Sequence, residues 1–117
     1  MSVPVDYRIC QQTVTVYRYT EGTVLRRELR NCFLVWEEEE NYSPTGKNRN
    51  RKFLLIQPGN EQLVFPGDRV HEGIGPEIAP EDWSQFIPAL YPKLGEANYA
   101  VPYCWQGVFC HTEAGRR

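Results

Sequence analysis

The sequence lacks the features that mark membrane-spanning, secreted and nucleic-acid-binding proteins. No apolar run approaches the roughly 20 residues that a membrane-spanning helix requires. The start of the chain contains no basic region followed by an apolar segment, so we expect no secretion signal. The formal net charge is −2, whereas a dedicated nucleic-acid-binding domain is usually clearly basic. We therefore expect synthesis in the cytoplasm, no membrane partner and no sequence-specific nucleic-acid partner.

The motifs of common enzyme and cofactor sites are also missing. The sequence contains neither Gly-x-Ser-x-Gly nor His-Glu-x-x-His, and its Gly-rich stretch at 73–78 includes a proline and a glutamate that disfavour phosphate binding. The two histidines, His71 and His111, have no nucleophile at a recognisable spacing. Adjacent carboxylates at 37–40 and 81–82 fit an exposed segment and a helix start better than the cleft of a glycosidase. We expect no enzymatic activity, no catalytic residue and no cofactor.

The four cysteines are widely spaced. Cys10, Cys32, Cys104 and Cys110 are separated by 22, 72 and 6 residues, and no Cys-x-x-Cys pair occurs. Structural zinc sites usually draw their ligands from close pairs. Although Cys110 directly precedes His111, we expect no metal site. In a reducing cytoplasm the cysteines should be four free thiols.

The length and composition describe one small domain. A chain of 117 residues is expected to form a single domain, 1–117, and to bury roughly two-thirds of the surface of its unfolded form. Hydrophobic residues make up 41% of the chain and charged residues 24%, which is enough apolar material to fold. The mixed polarity of residues 1–11 has no period and indicates an N-terminal arm.

Short runs rich in β-branched and aromatic residues, separated by turn residues, predict a mainly β chain. Glu21-Gly22 separates two of these runs. Pro66-Gly67-Asp68 is a tight turn, with proline at its first central position and glycine where φ is positive. The run at 32–36 is apolar throughout, which indicates a strand buried on both faces or one that presents a face to a partner. The predicted strands are 13–19, 24–29, 32–36, 53–56, 62–65, 69–72, 98–101 and 104–112.

One short helix is predicted at 79–88. A proline and two acidic residues open it, which suits the first turn and the positive end of the helix dipole. Trp83, Phe86 and Ile87 fall on one face, at i, i+3 and i+4, so that face should pack on the sheet and plug one end of a barrel. Two segments are predicted to lack regular structure, a loop at 91–97 and a tail at 113–117.

The composition changes abruptly after Trp36. An acidic run at 37–40 is followed by a polar stretch and a basic run at 47–52, and a strand resumes at Phe53. We predict a long β-hairpin with a mobile tip at 38–51. The tip is either a solvated loop or an assembly device whose basic arm meets the acidic arm of the next subunit in a ring. The candidate assembly residues are Glu38, Glu39, Glu40, Lys47, Arg49 and Arg51.

Together these patterns predict the fold class. We expect a mainly β domain, a small antiparallel β-barrel or sandwich with one short helix and a long protruding hairpin loop. A β-barrel that binds nucleic acid or a small ligand would need a basic face studded with aromatic residues. The candidates for such a face are Tyr17, Tyr19, Arg26, Arg27 and Arg30.

Two sequence blocks carry a family resemblance. The run LVFPGDRVHEGIGPEIAPEDWSQFIPAL at 63–90, followed by YCWQGVFCHTEAG at 103–115, resembles small proteins of the structural-gene clusters of tailed bacteriophages and prophages. Members share a Tyr-rich first strand, a variable hairpin, a PGDxVxxGxGPEI block, a short helix with tryptophan and a terminal YWxGxxxHxEAG. The match covers 14–19, 66–87 and 105–115. The chain departs from the pattern at Cys104 and Cys110, so those thiols are not needed by it.

The resemblance implies a structural role in a virion. Related small β-barrels are head-closure or head–tail connector proteins, also called minor capsid proteins, which form a ring, retain packaged DNA and join the head to the tail. Under this expectation the chain is made in the host cytoplasm and ends in the virion neck. Its partners would be further copies of itself and the neighbouring portal, connector or tail proteins. A tail-completion or tail-terminator protein is the alternative within the same class.

Overall fold

The computed structural model describes residues 7–37 and 51–117, and this part of the chain is mainly β, as predicted. Its seven strands form one antiparallel sheet in the order β5-β4-β1-β2-β3-β7-β6. Two short 3₁₀ helices, Tyr7–Ile9 and Pro80–Gln85, accompany the sheet. The strands are β1 (Gln12–Thr20), β2 (Thr23–Trp36), β3 (Phe53–Pro58), β4 (Arg69–Glu72), β5 (Leu94–Glu96), β6 (Tyr99–Trp105) and β7 (Val108–Arg116).

Strand β2 is longer than the sequence indicated. We predicted two strands, 24–29 and 32–36, with a break at Asn31, but β2 is continuous from Thr23 to Trp36. Asn31 adopts a left-handed conformation with φ of 58° and is the site of a β-bulge, because Val14 pairs with Leu29 whereas Gln12 pairs with Cys32. Asparagine tolerates this conformation better than most residues, so the strand bends there and does not end.

The bulge changes which side chains of β2 face the core. Before Asn31 the core residue is Leu29, an odd position, and after it the core residues are Cys32 and Leu34, even positions. Because side chains alternate along a strand, one extra residue exchanges the two faces. The odd positions after the bulge, Phe33 and Val35, therefore point away from the core.

The bent strand joins two halves of a curled sheet. The first half of β2 pairs with β1, which continues to β4 and β5, and the second half pairs with β3, which continues to β7 and β6. The sheet curls into a half-barrel. Its two edges approach each other where Asn98 N–H donates to the Gly115 carbonyl (2.7 Å) and Arg116 Nη1 donates to the Glu96 carbonyl (3.2 Å).

The core fills the concave side of the half-barrel. A second cluster lies on the opposite face of β1, where Tyr17 packs edge-to-face on Phe86 at 4.5 Å between ring centroids and Leu94 joins them. Strand β1 is therefore buried on both faces, since Val14 and Tyr17 are each fully buried. The main cluster comprises Val14, Val16, Leu29, Cys32, Leu34, Phe53, Leu55, Val64, Val70, Ala97 and Ala114.

The predicted helix at 79–88 is a 3₁₀ helix of six residues, Pro80–Gln85. Its final hydrogen bond runs from Phe86 N–H to the Trp83 carbonyl, three residues back, at 3.1 Å. Pro88 lacks an N–H group and disfavours the α conformation before it, so an α-helix cannot propagate through this segment. The packing prediction is confirmed in part, because Trp83 and Phe86 do pack around Tyr17.

Four further predictions are wrong. Residues 62–65 are not a strand, although Val64 is fully buried; the predicted loop at 91–97 contains β5. The predicted single strand 104–112 is a hairpin that turns at Gln106 and Gly107, whose φ angles are 51° and 78°. Positive φ at both positions fits the turn of a tight hairpin. The predicted tail is the end of β7, which pairs through Arg116.

The N-terminal arm is described from Tyr7 onward. The 3₁₀ helix Tyr7–Ile9 lies near β7, and Cys10 is buried. Residues 1–6 and the greater part of the predicted mobile tip, 38–50, lie outside the described residues. Within residues 7–37 and 51–117, no helix is long and apolar enough to cross a membrane.

Candidate functional site

The stretch 64–90 contains the Pro-Gly-Asp turn and the second 3₁₀ helix, and its contacts stabilise the fold. Arg18 Nε and Nη2 donate to the two Asp68 carboxylate oxygens, each at 2.8 Å, and Phe65 N–H donates to Asp68 Oδ2 at 2.9 Å. Asp68 is buried, and the Arg18 guanidinium also lies 4.6 Å from the centroid of the Phe65 ring. These contacts fix the Pro-Gly-Asp turn on β1.

Arginines brace the rest of this stretch in the same way. Arg26 Nη2 and the Tyr17 hydroxyl donate to the carbonyls of Gly75 and Pro76, at 2.5 and 2.6 Å. Arg69 Nη1 donates to the carbonyls of Trp83 (2.7 Å) and Phe86 (2.6 Å). These side chains satisfy loop carbonyls that no strand partner reaches, so the stretch is architectural and its polar groups are already engaged.

A second apolar surface lies on the side of β2, β3, β7 and β6 that faces away from the core. Directly opposed residues in a sheet point to the same side, so rows can be followed across the four strands. We call this side the outer face. Its three rows are Val35, Leu54, Gly115 and Tyr99; then Phe33, Ile56, Glu113 and Val101; then Pro58, His111 and Tyr103.

The outer face is apolar and only partly covered. Val35, Val101 and Tyr103 are 45%, 37% and 42% exposed. In an antiparallel sheet with one free face, that face is normally polar. A contiguous apolar surface on a small domain marks an interaction site far more often than an isolated exposed residue does. The run at 32–36 is therefore not buried on both faces, because Leu34 faces the core whereas Val35 is exposed on the outer face.

One end of the outer face opens into a groove of about 500 Å³. Val35, Leu54 and Tyr99 form its apolar part, and Lys52 and Arg117 stand at its rim. The Arg117 guanidinium lies 4.0 Å from the centroid of the Tyr99 ring. Glu37 and Arg116 also line the groove, so this end of the face combines aliphatic and aromatic side chains with three basic residues and one acidic residue.

The other end is closed by the N-terminal arm. The Tyr7 hydroxyl lies 2.6 Å from His111 Nδ1, and the Tyr103 ring stacks on His111 with centroids 5.1 Å apart and planes 17° apart. Burial lowers the pKa of His111 and raises that of Tyr7, so the imidazole is neutral and the phenol protonated at pH 7. The direction of the hydrogen bond between the phenol and Nδ1 depends on which nitrogen of the neutral imidazole carries the proton. In the described part of the chain the buried Nε2 of His111 has no partner.

Glu113 is the only charged residue among the eleven positions of the outer face. It lies in the middle row and is partly exposed. No ion pair involving Glu113 occurs among residues 7–37 and 51–117. The outer face is thus an apolar surface with one central negative charge and with cations at one end.

The structure describes one of the six predicted assembly residues. Arg51 Nη2 donates to the Pro92 carbonyl at 2.6 Å, and its guanidinium lies 4.3 Å from the centroid of the Trp36 ring. Arg51 thus anchors the base of the hairpin, where Glu37 N–H also donates to the Lys52 carbonyl at 2.9 Å. The other five, Glu38, Glu39, Glu40, Lys47 and Arg49, lie outside the described residues.

The residues proposed for a basic aromatic face do not form one. Tyr17 is fully buried, and Arg26 is held by loop carbonyls and by Glu28. Arg27 pairs with Val16 in the sheet and so lies on the opposite side from Tyr17, whose partner is Arg26. The binding-module hypothesis required such a face, so the prediction of a basic aromatic surface from these residues is wrong.

Of the four cysteines, Cys10 and Cys32 are buried, Cys104 is exposed and Cys110 is partly exposed. Burial raises the pKa of the Cys32 thiol to about 12. In the part of the chain that the structure describes, no cluster of three or more His, Cys, Asp or Glu residues is arranged to hold a metal ion. His71 lies on β4 and His111 on β7, and each engages a different neighbour.

One pattern in the sequence, the alternation of side chains along a strand, indicates the outer face. The prediction of strands did not make use of it. Tyr99, Val101 and Tyr103 alternate with smaller residues on β6, whereas the run at 32–36 on β2 is apolar at every position. Which of the two alternating sets faces the core depends on the Asn31 bulge and on the pairing of distant strands. Comparison of the chain with protein-family models, with curated proteins and with solved structures found no match.

Proposed function

We propose that the chain is a structural subunit of a tailed phage or prophage virion, a head-closure or head–tail connector that assembles as a ring and joins head to tail. The observation that carries this proposal is the outer face, an apolar sheet surface that a single copy leaves partly uncovered. Burying such a surface against another protein is favourable at roughly 25 cal/mol per Å² of apolar area removed from water. Assembly is therefore a function that this surface supports directly.

The proposal assigns no catalysis and no cofactor. The most conspicuous polar side chains of the described residues, Arg18, Asp68, Arg26 and Arg69, are committed to bracing loops. The proposed partners are further copies of this chain and the neighbouring portal, connector or tail proteins. The proposed place of action is the virion neck, after synthesis in the host cytoplasm.

Electron microscopy of lysates from the parent phage or prophage, with this gene deleted, tests the proposal. We expect empty or leaking heads beside complete, unattached tails. Filled, stable heads beside aberrant or missing tails would instead assign the chain to tail completion or termination. Normal virions after deletion would overturn a structural role of either kind.

Complementation of the deletion with single variants links the phenotype to the outer face. Val101→Asp places a charge in the middle row of that face and should fail to restore virions. Leu90→Asp is the matched control, because Leu90 is also an exposed apolar residue, at 57%, but belongs to none of the four strands of the outer face. Restoration by both variants would exclude the outer face as the assembly surface.

A further inference from the structure

The first half of β2 has one side that no strand covers. Strand β1 pairs with one side of β2 from Thr23 to Cys32, but on the other side β3 pairs only with Phe33–Trp36. The side of residues 23–30 that faces away from β1 therefore has no strand partner in the described part of the chain. We call this side the β2 edge. An uncovered strand side presents backbone N–H and C=O groups to any strand that comes beside it.

The turn at Glu21-Gly22 determines which backbone groups the β2 edge presents. Both turn residues have positive φ, 50° and 77°, and Thr20 pairs with Thr23. In such a two-residue hairpin the residues that flank the turn exchange both hydrogen bonds, and bonded pairs recur at every second position. At the alternate positions the N–H and C=O groups point away from β1; these positions are Val24, Arg26 and Glu28. No group of the described residues bonds to the backbone there.

A cleft of about 340 Å³ keeps the β2 edge open. Val16 and Arg18 lie on its side of β1, whereas the side chain of Arg26 lies on the opposite face, where it donates to the Gly75 carbonyl. Arg26 nevertheless lines the cleft. It is therefore the backbone of Arg26 that borders the cleft, as expected for an uncovered strand.

The two outermost strands of the described sheet are less suited to pairing with another strand. Strand β5 has only three residues. Strand β6 contains Pro102, which has no N–H to donate and is a common guard of edge strands. Residues 23–30 include no proline. Among the uncovered strand sides of the described residues, the β2 edge is thus the one that offers a row of both donors and acceptors.

Two copies related by a two-fold axis satisfy each other's β2 edge. In an antiparallel pairing centred on Arg26, Val24 of each copy lies opposite Glu28 of the other, and each outward N–H meets a C=O. Leu25 of each copy then lies opposite Arg27 of the other, so the leucine packs on the aliphatic stem of the arginine. The β2 edge is therefore self-complementary, as a two-fold interface requires.

The charges around this pairing are balanced. Arg26 reaches across β1 to the Gly75 carbonyl and is paired with Glu28 at 3.0 Å, so its guanidinium points away from the axis. Arg27 and Glu61 both line the cleft and give it one charge of each sign. The two Arg27 side chains would lie diagonally across the axis, with a Glu61 in each cleft to offset them.

Two further arginines near the β2 edge are also compensated. Arg18, which lines the cleft, is paired with Asp68 at 2.8 Å. Arg30 would lie opposite the Glu21-Gly22 turn of the other copy, next to an exposed carboxylate. Pairing of two β2 edges therefore brings no excess of one charge into the interface.

We infer that the chain forms a two-fold dimer in which the β2 edges of two copies pair antiparallel and join their sheets. The contact uses the first half of β2, whereas the β2 residues of the outer face, Phe33 and Val35, lie in the second half. The inference goes beyond the proposed function, because a role in the virion neither requires this dimer nor excludes it.

Amide hydrogen exchange of the purified full-length chain, followed by NMR at low and high protein concentration, tests the pairing. The amides of Val24, Arg26 and Glu28 should exchange at least about tenfold more slowly at high concentration, because they gain a C=O partner only in the dimer. The amides of Leu25 and Arg27 are internal controls. They bond to β1 within one copy, so their exchange should change much less with concentration.

Sedimentation equilibrium over the same concentration range measures the association itself. Glu28→Pro removes an N–H that has no partner within one copy and blocks the β2 edge, so self-association should weaken at least about tenfold. Glu28→Ala is the matched control, because it also removes the ion pair with Arg26 but keeps the N–H, and it should associate as wild type does. Circular dichroism checks that both variants retain the fold. If Glu28→Pro does not fold, the exchange pattern of the wild type decides.

The remaining outcomes overturn the inference. A wild-type chain that is monomeric at the highest concentration at which it stays in solution forms no such dimer. Association that a folded Glu28→Pro variant retains, or that Val101→Asp abolishes in its place, would mean that the copies meet elsewhere. Protection of the Val24, Arg26 and Glu28 amides that appears only on addition of an extract from phage-producing cells would assign the β2 edge to another protein. None of these results bears on the gene-deletion experiment, which asks only whether virions need the protein.

Discussion

Arg18 and Asp68, fifty residues apart in sequence, form a two-point ion pair that ties the Pro-Gly-Asp turn to β1. The Asp68 carboxylate is almost fully buried and also accepts the Phe65 N–H. The pair thus closes the turn and holds it against β1. Its energetic weight can be measured directly.

Asp68→Ala should lower the free energy of unfolding by about 2–3 kcal/mol, because it leaves a guanidinium and a backbone N–H without their acceptor. The loss is smaller than for a fully buried pair, since the Arg18 side chain is 39% exposed. Urea denaturation measures the change. Glu28→Ala, which removes the more exposed ion pair with Arg26, is the control and should cost at most about 1 kcal/mol. Equal losses in the two variants would contradict the assigned role of Asp68.

Gly115→Ala should disrupt the pairing of β3 with β7. A Cβ at this position would overlap the Phe53 carbonyl, which is backbone and cannot move aside. We expect a loss of about 3 kcal/mol or more, at the upper end of overpacking effects. Gly107→Ala is the comparison: it places a Cβ in open space at φ of 78° and should cost only about 1 kcal/mol. Thermal or urea unfolding that ranked the two variants in the opposite order would refute the close approach at Gly115.

Asn31 should accept glycine but not a β-branched residue. Its φ of 58° is open to glycine without strain, so Asn31→Gly should change stability by no more than about 0.5 kcal/mol. Asn31→Val should lose about 1–2 kcal/mol, because the left-handed conformation brings Cβ too close to the following carbonyl. Leu25→Val, at an exposed position of the same strand, checks for a general effect of introducing a β-branched residue. A harmless Asn31→Val variant would show that the bulge is not required.

Acid should destabilise the protein through His111. Burial lowers its pKa in the folded state below the ordinary value of 6.5, so the unfolded chain binds the proton more tightly. The contribution of neutral His111 is therefore complete well above pH 6.5 and is lost as the pH falls through 6.5 towards the folded-state pKa. The difference in unfolding free energy between wild type and His111→Asn should shrink over this window. His71, whose pKa is also lowered by burial, is present in both proteins and cancels.

The groups around His111 set the size of this effect. Glu113 favours the protonated form, whereas the Tyr7 and Tyr103 rings shield the imidazole from water. Tyr7→Phe removes the hydrogen bond to Nδ1 but keeps the ring contact, and should weaken the pH dependence only in part. A stability difference that is constant from pH 8 to 5 would show that His111 is not held neutral.

The thiols should divide into two reactivity classes. Cys104 is exposed and Cys110 partly so, whereas Cys10 and Cys32 are buried and burial raises the pKa of Cys32 to about 12. Since the thiolate is the nucleophile, we expect rapid alkylation of Cys104 and Cys110 in the native protein. Cys10 and Cys32 should react only after unfolding. Mass spectrometry of peptides after timed alkylation measures this, and rapid labelling of Cys32 in the folded chain would contradict its burial.

The strand content could be predicted from local pattern because its signals are local. Turn residues at Glu21-Gly22 and Pro66-Gly67 and the β-branched runs around them need no distant partner to be recognised. The errors fell where a local signal was ambiguous. Asn31 looked like a strand end because asparagine favours both turns and bulges, and Gly107 looked like a bulge although it turns a hairpin.

The candidate site was predicted less well than the fold. The apolar run at 32–36 predicted either a strand buried on both faces or a strand that presents one face to a partner. The sequence alone could not distinguish these two alternatives. The choice required knowing that β3, β7 and β6 extend the same surface, through pairings between residues up to 63 apart, as for Phe53 and Arg116. The prediction of a basic aromatic face was wrong for the same reason. Phe86, which lies in a distant segment of the chain, packs on Tyr17 and covers it.

The sequence by itself determined the β class, the turns at Glu21-Gly22 and Pro66-Gly67 and the absence of a long apolar span, because each depends on neighbouring residues and on composition. Only the tertiary structure decided which side of each strand became core. One bulge at Asn31 exchanges the faces of β2, and the sheet then aligns Val35, Leu54 and Tyr99 on its outer side. Side chains alternate with a period of two, so a single extra residue converts a core face into an outer one. That geometric fact, rather than any motif, places the apolar surface where another protein can reach it.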